Sequence, residues 1–329
     1  MTRKTAFVTG STGFLGLNLV EQLTQADWDV VALHRRNSNL SHLRKFPVEM
    51  VEGDLTSLAS LRRAIPQGID AVFHVAADTS MWSRNNARQT ETNVAGTANV
   101  LEAVRQAKAR RFVHTSTWNT YGLEQGEISE TCPQLGGRSW INYNRSKYLA
   151  EELVRDAAKD GLDAVIINPC HIMGRYDRHG WARIIINLCN RWIPVAPPGA
   201  GTFCHAQEAA KAHIAAVERG KVGRNYLLSG DFVSLLDVFR TIGELTGCKA
   251  PKRTLPAPAF RLAARLNVML TSVTGREPEL TPEGAEMVCA SARVVSARAQ
   301  QELGYEPAPL HTAIRDSYGW LKGQGILRL

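Results

Sequence analysis

The segment Tyr143-Asn-Arg-Ser-Lys147 begins and ends with side chains of complementary acid–base chemistry. On a helix this i, i+4 spacing places them on one face. A nearby ammonium group stabilises a phenolate, so we expect Lys147 to lower the pKa of Tyr143 from its usual value of about 10. Such a phenol can give a proton to a carbonyl oxygen or take one from an alcohol. Because the same spacing is common on helix surfaces, its meaning depends on the surrounding sequence.

Hydroxyl groups precede this pair in the segment Thr115-Ser116-Thr117-Trp-Asn-Thr-Tyr121-Gly122, which follows a β-type run. A hydroxyl at the end of a strand can hydrogen-bond the substrate oxygen that the tyrosine protonates, which stabilises charge developing there. The two segments together predict a site for carbonyl or alcohol chemistry.

A glycine-rich turn near the amino terminus, Thr9-Gly10-Ser-Thr-Gly13-Phe-Leu-Gly16, follows the first strand-like run and opens a helical pattern. Glycine suits positions where the backbone turns sharply or must approach a pyrophosphate without a Cβ between them. The N–H groups and the dipole at the start of the helix then favour the phosphate charge. In this strand–turn–helix context the glycines predict a dinucleotide-binding site.

The end of the second predicted strand, Leu33-His34-Arg35-Arg36, bears on which dinucleotide is bound. NAD-binding proteins of this type place a carboxylate there for the ribose 2′-hydroxyl, whereas an arginine accommodates the 2′-phosphate of NADP. No Asp or Glu occurs from Val30 to Ser38. The sequence therefore predicts NADPH as the cofactor, with Arg35 on the 2′-phosphate and Arg36 assisting. Two solvated arginines without a ligand are the alternative.

Short apolar runs alternate with helical patterns and would position these segments. The runs predict strands at 5–9, 30–33, 48–51, 71–75, 112–115 and 164–168. The helical patterns lie at 58–64, 93–107, 142–160, 208–219, 235–246, 259–270 and 296–303, and another follows the glycine turn, with Leu15, Leu19 and Leu23 on one face. This alternation predicts an α/β fold, a Rossmann-type doubly wound parallel sheet with helices on both faces.

The pattern loosens after residue 168, where a turn-rich segment includes Pro194, Pro197, Pro198, Gly199 and Gly201. We expect residues 1–168 to form a dinucleotide-binding core, to which residues 205–232, approximately, return. Residues 169–204 and 233–329 are expected to form a smaller, mostly helical lobe that binds the substrate.

The composition excludes several classes of protein. Of 329 residues, 44% are hydrophobic and 21% are charged, so a disordered or collagenous chain is excluded. The net charge is +8, but the basic residues are scattered, so we expect anionic small molecules rather than nucleic acid as partners. Six cysteines without Cys-x-x-Cys or paired histidine spacing predict neither a disulfide framework nor a metal site. Without a signal-peptide core or a long apolar run, the expected location is cytoplasmic, with no stable membrane insertion.

Taken together, these motifs resemble those of the extended short-chain dehydrogenase/reductase family, also called the NAD-dependent epimerase/dehydratase family. The matching segments cover most of the chain. They are Thr9–Gly16, Gly53-Asp54-Leu55, His74-Val-Ala76-Ala77, Asn93-Val-Ala-Gly96-Thr97, the Ser/Thr strand end, Tyr143–Lys147, Asn168-Pro169, and Leu303-Gly304-Tyr305 with Pro307.

The resemblance implies a role for each matching residue. Thr117 is the catalytic hydroxyl, with Ser116 as the alternative if the match slips by one residue. Tyr143 is the acid–base residue, and Lys147 tunes it and holds the nicotinamide ribose. Asp54 and Leu55 meet the adenine, Pro169 borders the nicotinamide, and Asn93 has a supporting role. The full cofactor-binding set is Gly10, Thr12, Gly13, Phe14, Leu15, Gly16, Arg35, Asp54, Leu55, Ala76, Ala77, Tyr143, Lys147, Pro169 and Ile172. A homodimer is the assembly expected from the family.

Within that family, Leu33-His-Arg35 and Ala76-Ala77-Asp-Thr-Ser-Met-Trp82 look most like the dihydroflavonol-reductase-like branch, which reduces ketones or aldehydes with NADPH. Nucleotide-sugar epimerases and dehydratases usually carry an acid after the second strand and an Arg-containing segment leading into Val-x-Asp. Here Gly201-Thr-Phe-Cys204-His205-Ala-Gln-Glu208 lacks both the Arg and the Asp, although Arg183 and Arg191 are other candidates for binding phosphate.

We therefore expect an NADPH-dependent carbonyl reductase that also works in reverse as an alcohol dehydrogenase. The alternatives are a nucleotide-sugar epimerase or dehydratase that retains NAD, and a non-catalytic protein that senses NADP. A pure binding protein has no need for the set Thr117, Tyr143 and Lys147, which argues against the second alternative.

Large and mostly uncharged side chains are expected to line the substrate pocket, which favours an aromatic or otherwise apolar carbonyl compound. They are Met81, Trp82, Trp118, His171, Met173, Trp181, Trp192 and Phe203. Packing within the smaller lobe is the alternative for about half of them. His171 and His205 are expected to be hydrogen-bonded structural residues rather than catalysts. The amphipathic stretch 260–270 is expected to pack on the smaller lobe rather than to contact a membrane or a partner.

Overall fold

The strands and helices of the chain follow one another in regular alternation through its first half. The computed structural model describes residues 3–123, 126–271 and 278–327. Its strands are β1 (Thr5–Thr9), β2 (Asp29–His34), β3 (Glu49–Glu52), β4 (Ala71–His74), β5 (Arg111–Thr115), β6 (Glu127–Ile128), β7 (Ala164–Pro169), β8 (His171–Met173), β9 (Ala200–His205), β10 (Asn225–Leu228), β11 (Asp231–Ser234) and β12 (Arg293–Val294). Its α-helices are α1 (Phe14–Gln25), α2 (Leu58–Ala64), α3 (Asn86–Thr90), α4 (Gly96–Gln106), α5 (Asn142–Lys159), α6 (Ala182–Asn190), α7 (Ala206–Arg219), α8 (Leu235–Thr246), α9 (Ala257–Thr271), α10 (Pro282–Cys289) and α11 (Leu310–Gly323).

Seven of these strands form the central sheet in the order β10-β7-β5-β4-β1-β2-β3. All neighbouring pairs within it are parallel. Strands β4 and β7 are buried along their whole length, as expected for a parallel sheet covered on both faces. The predicted Rossmann-type doubly wound α/β fold is confirmed.

Two layers of helices cover this sheet. On one face α1 packs against α7, and Leu19 and Leu23 of α1 join Ala212 and Ala216 of α7 in one apolar cluster. On the other face α2, α4 and α5 contribute Leu61, Val104 and Val154 to a second cluster. Because parallel strands end at the same edge of a sheet, the turns after β1, β2, β4 and β5 lie along one rim, where ligands of such folds bind.

A third apolar cluster lies among the later elements. It joins Ile185 of α6, Phe239 of α8 and Ile314 of α11. A small sheet in the order β11-β9-β8 accompanies it. Leu303 and Tyr305, by contrast, pack with the cluster of α1 and α7. The division of the chain at 168, 204 and 232 stays a prediction.

The expectation that the chain has no disulfide is wrong for one pair of cysteines. Cys189 at the end of α6 and Cys248 just after α8 form a disulfide. The pair is separated by 59 residues, and the packing of α6 on α8 brings it together, which spacing along the chain does not reveal. Cys132, Cys170, Cys204 and Cys289 are free.

Candidate active site

In the glycine turn after β1, Gly10 and Gly16 leave no room for a side chain, and a Cβ at Gly13 would be tight at 3.2 Å from the carbonyl oxygen of Gly10. Gly10 has a φ of +69°, and a Cβ there would lie 2.7 Å from the backbone nitrogen of Ala76. A Cβ at Gly16 would lie 2.0 Å from the carbonyl oxygen of Gly10, which also accepts a hydrogen bond from the Gly13 N–H at 2.9 Å. The turn thus brings the backbone of β1 against the segment after β4, where Ala76 and Ala77 follow.

The start of α1 is open to an anion. Gly13 is its N-cap and offers no side-chain hydrogen bond, and the first turn contains no acidic residue. The N–H groups of that turn are therefore available, together with the positive end of the helix dipole, to a phosphate group. Thr12, Phe14 and Leu15 belong to this turn, so the structure brings the predicted phosphate-binding residues together.

Arg35 and Arg36 differ in their partners. Arg36 lies 3.7 Å from a carboxylate oxygen of Glu52 on the neighbouring β3. Arg35 forms no ion pair with any residue in the described ranges, and its backbone N–H and C=O are tied to Ser38. Of these two arginines, Arg35 is therefore the one that has no carboxylate partner among the described residues.

Asp54 and Leu55 follow β3 in a turn that the neighbouring residues hold rigidly. Asp54 accepts hydrogen bonds from the backbone and hydroxyl of Thr56 at 2.9 and 2.8 Å, and Ser60 bonds its backbone. Leu55 is buried, and its carbonyl oxygen accepts from the Asn99 side chain. The turn lies at the same rim as Arg35.

A chain of hydrogen bonds connects the turn region to α5. Thr97 donates to the carbonyl oxygen of Asn93 at 2.7 Å, so its hydroxyl accepts from Nε2–H of His74 at 3.0 Å. Nδ1 of His74 then accepts from the Thr9 hydroxyl at 2.8 Å. At the other end, the Asn93 amide donates to the hydroxyl of Ser146 on α5 at 3.0 Å. Asn93, expected from the resemblance to have a supporting role, thus links β4 to the helix that carries Tyr143.

Tyr143 and Thr117 are hydrogen-bonded to each other through their side chains. Burial raises the pKa of Tyr143, and the bond from Thr117 partly offsets this, which leaves the pKa at about 12. The neighbouring Ser116 hydroxyl is buried without a hydrogen-bond partner within the described part of the chain. Of the two candidate hydroxyls, Thr117 is the one joined to Tyr143.

Lys147 lies one turn after Tyr143 on α5 and is almost fully buried. Its Nζ donates to the carbonyl oxygen of Thr115 at 2.7 Å. Burial lowers the pKa of Lys147 to about 8, although the charge of Glu151 opposes this shift. The expectation that Lys147 lowers the pKa of Tyr143 is wrong in this structure, because desolvation outweighs other influences on the phenol and raises its pKa.

Glu151 is a functional neighbour that the sequence interpretation missed. Its carboxylate is fully buried and accepts hydrogen bonds from Thr120 at 3.1 Å and Gln134 at 2.8 Å, and from Asn168. Arg155 pairs with this carboxylate at 2.8 Å, and the Asn225 amide donates to it at 2.9 Å. Asn168 in turn donates to the carbonyl oxygen of Thr117 at 3.1 Å, so this network supports the loop that carries Thr117. The signal was present, because Tyr143, Lys147, Glu151 and Arg155 recur every four residues.

Four of the predicted pocket side chains form an aromatic cluster next to Thr117. The ring of His171 lies 5.5 Å from Trp118, 4.3 Å from Trp181 and 5.2 Å from Phe203, measured between centroids. Gly201 makes room for it, since a Cβ there would lie 2.5 Å from the imidazole. Pro169 directly precedes this region on the chain, and Ile172 follows His171 in β8.

The other predicted pocket residues make no aromatic ring contact with this cluster among the described residues. Trp82 stacks on the guanidinium of Arg84, with 5.1 Å between that group and the ring centre. Met173 is buried in the third apolar cluster. Trp192 is 71% exposed. Met81 lies beside Gly284 of α10.

The two histidines near this cluster differ from each other. His205 lies 3.3 Å from Asp316, as expected for a structural residue. Burial by itself would raise the pKa of Asp316. Hydrogen bonds from His205 and Arg175 outweigh this effect and lower the pKa to about 2. The imidazole of His171 makes no hydrogen bond within the described ranges, so the expectation that this side chain is hydrogen-bonded is wrong. Burial lowers the pKa of His171 to about 3, so its ring is neutral.

The arginines considered for phosphate binding share one carboxylate. Arg191 lies 2.7 Å and Arg183 lies 3.7 Å from Glu279. Among the described residues, no group of three or more His, Cys, Asp or Glu side chains is arranged to hold a metal ion.

Comparison with known proteins matches this arrangement to one family. Residues 6–229 match the family model described as the NAD dependent epimerase/dehydratase family. The putative dihydroflavonol 4-reductase of Synechocystis sp. is 31% identical over 330 residues, which cover 98% of this chain and 96% of that protein.

Two further matches extend the comparison. The 4-hydroxy-2-methyl-3-oxo-4-farnesyl-3,4-dihydroquinoline-1-oxide ketoreductase of Stigmatella aurantiaca is 32% identical over 270 residues, or 80% of each chain. The crystal structure of gox2253 superposes with a TM-score of 0.85 at 28% identity, and the match covers 99% of this chain and 100% of that one.

Proposed function

Because this chain belongs to the extended short-chain dehydrogenase/reductase family, also called the NAD-dependent epimerase/dehydratase family, we propose that it is an NADPH-dependent carbonyl reductase. The proposed reaction is the reversible reduction of an aromatic or otherwise apolar ketone or aldehyde to an alcohol. The substrate is a small molecule, and no nucleic acid takes part.

One observation carries this proposal. The Tyr143 hydroxyl is hydrogen-bonded to Thr117, and Trp118, the next residue, belongs to an uncharged aromatic cluster. The partner of the proton donor is therefore followed in the chain by a cluster of mostly buried, uncharged rings, which favours an apolar ligand. A diphosphate group would need cations there, but Arg183 and Arg191 are both paired with Glu279.

Three residues of the chain have separate roles in the proposed reaction. Tyr143, whose raised pKa keeps it protonated near neutral pH, gives its proton to the carbonyl oxygen. Thr117 donates a hydrogen bond to the same oxygen as negative charge develops on it. Lys147, anchored on the carbonyl oxygen of Thr115, directs its remaining N–H groups to the nicotinamide ribose.

The residues present fit a bound NADPH. The glycine turn forms a cradle that a Cβ would fill, and the uncapped start of α1 suits the pyrophosphate. Arg35, the cation without a carboxylate, is proposed to pair with the 2′-phosphate. Asp54 and Leu55 are proposed to contact the adenine, and Ala76, Ala77, Pro169 and Ile172 to line the rest of the cofactor. When bound, NADPH supplies the hydride that reduces the carbonyl carbon.

The test is the oxidation of added NADPH in the presence of aryl ketones and aldehydes. We expect turnover by the wild-type protein and a loss of at least about 100-fold in kcat for Tyr143→Phe, since the proton donor is removed while the ring remains. Fluorescence titration should show NADPH binding to the variant within about twofold of wild type.

The names of the relatives, a dihydroflavonol 4-reductase and a ketoreductase, agree with this proposal. Conversion of a uridine or thymidine diphosphate sugar without added cofactor would instead assign the chain to the epimerase or dehydratase class. Full activity of Tyr143→Phe would contradict the proposed mechanism.

A further inference from the structure

Helix α9 presents an apolar row of side chains to the solvent. Leu262, Leu266, Met269 and Leu270, which we call the α9 patch, are between 50% and 78% exposed. Ala264 is the one residue of this helix that is buried within the described ranges. On the inner side, Arg261 forms two hydrogen bonds with Glu286 of α10, at 2.8 and 3.0 Å. A helix packed only to complete a core would show the opposite distribution.

Basic residues occur on α9 and in the segment that leads into it. Lys249, Lys252, Arg253 and Arg265 are exposed and form no ion pair with any residue that the structure describes. The nearby carboxylates of Glu279 and Glu286 are each already paired with arginine. Arg265 lies on α9 between Leu262 and Leu266, and the other three cations lie in the segment that leads into the helix.

An exposed tryptophan lies in the same part of the molecule. Trp192 shortly precedes Ala196, whose N–H donates to the carbonyl oxygen of Arg253, and Leu255 donates back to Ala196. Residues 253–255 lead directly into α9, so Trp192 stands close to the beginning of that helix. Tryptophan with an apolar ring and a polar N–H is characteristic of the boundary between lipid and water.

From these features we propose that α9 docks the protein on the surface of an anionic lipid bilayer. An interfacial helix lies in the plane of the membrane with its apolar side among the acyl chains, while lysines and arginines contact the anionic headgroups. A stable dimer buries about 800 Å² on each partner across a broad face. A single helical row of four side chains, with basic residues on the same helix and in the segment before it, does not supply such a face, because two copies would bring their cations together.

The attachment is peripheral. None of the helices in the described ranges is both long and apolar enough to cross a bilayer. Through α10, whose Gly284 lies against Met81, α9 is connected to the segment that precedes Trp82. If the proposed function holds, an apolar carbonyl compound dissolved in the bilayer would reach the protein on this side.

Sedimentation with lipid vesicles tests the proposal on the full chain. We expect wild-type protein to bind vesicles of phosphatidylcholine mixed with phosphatidylglycerol, and to bind phosphatidylcholine alone more weakly. Leu266→Glu should weaken partitioning by at least about tenfold, because it places a charge in the buried row. Val222→Glu is the matched control, since Val222 is as exposed as Leu266, both at 50%, but lies far along the chain before β10. This control should bind like wild type.

Two further measurements make the outcome decisive. Lys252→Glu combined with Arg253→Glu should remove the preference for the anionic vesicles. Reduction of a water-soluble carbonyl compound without vesicles should be unchanged in Leu266→Glu, which separates this proposal from the proposed function. Wild-type protein that ignores both vesicles, or Leu266→Glu that binds like Val222→Glu, would overturn the proposal. So would a dimer, seen by analytical ultracentrifugation, that Leu266→Glu dissociates, because the face would then belong to a second copy.

Discussion

Thr117 and Ser116 are adjacent hydroxyls with different surroundings, and the difference favours Thr117 as the proposed partner of the substrate oxygen. Thr117 is bonded to Tyr143, whereas the Ser116 hydroxyl has no partner in the described structure. We expect Thr117→Val to lower kcat by about 100-fold, since a donor to the developing negative charge is lost. Ser116→Ala, the control, should stay within about threefold of wild type. Steady-state kinetics with one aryl ketone give both values, and the reverse ranking would transfer the role to Ser116.

Arg35 allows an equally direct test of the cofactor. Arg35→Asp should reduce the ratio of kcat/KM for NADPH over NADH by at least about tenfold, because a phosphate partner becomes a repelling carboxylate. Arg36→Asp introduces the same charge at a residue that is exposed and already near Glu52, so its effect should be smaller. An equal kcat/KM of the wild-type protein for NADH and NADPH would rule out the assigned role of Arg35.

At the scale of single elements, α5 is the helix on which the site depends. Its buried Glu151 ties Thr120, Gln134 and Asn168 together and pairs with Arg155. Glu151→Gln leaves Arg155 without its buried partner and should lower the free energy of unfolding by about 3 kcal/mol. Glu152→Gln, whose carboxylate also contacts Arg155 but is half exposed, should cost less than about 1 kcal/mol. Urea denaturation measures the free energy of unfolding of both variants. Equal losses would show that the buried network contributes no more to stability than the half-exposed contact.

The elements that sequence reasoning identified share a strong local signal. The predicted strand 5–9 coincides with β1, and the predicted helices 58–64 and 235–246 coincide with α2 and α8. Each is a continuous apolar run or a clear helical period between turn residues.

Sequence reasoning missed the strands β8 and β9 and the helix α11. β8 and β9 carry His171, Gly201, Thr202 and His205 among their apolar residues, and their pairing depends on contacts between distant segments. In α11 the signal was present, since Leu310, Ile314, Ser317 and Leu321 are buried at helical spacing. The aromatic cluster was predicted in part, but the exposure of Trp192 depends on the path of a loop and not on residue type.

At the scale of the whole molecule, burial of neutral histidines makes stability depend on pH. Desolvation lowers the pKa of His74 and His171 to about 3, that of His213 to about 4, and that of His114 well below its usual range. In the unfolded chain each would take up a proton near pH 6.5, so the unfolded state binds more protons below that pH. Stability is therefore retained above about pH 6.5 and is lost as the pH falls toward 4.

We expect the Tm to fall steadily between pH 7 and pH 5, with each histidine contributing up to about 2 kcal/mol of the loss at pH 5. His171→Phe removes one of these groups from an aromatic setting where it makes no hydrogen bond, so its Tm should fall less over the same interval. Calorimetry at several pH values compares the two proteins. An identical fall in both would mean that His171 does not contribute to the acid sensitivity.

The parallel sheet is completed late along the chain, which bears on how the protein acquires its structure during synthesis. Strand β7 pairs with β5 on one side but obtains its other neighbour, β10, only when residues 225–228 have been made. The short pair of β6 with β12 closes later still, at residues 293–294. While the intervening segments emerge from the ribosome, the unpaired N–H and C=O groups along this edge of β7 are exposed to other chains. The growing polypeptide is thus most prone to aggregation in that interval, and it is then that binding by a chaperone would protect it.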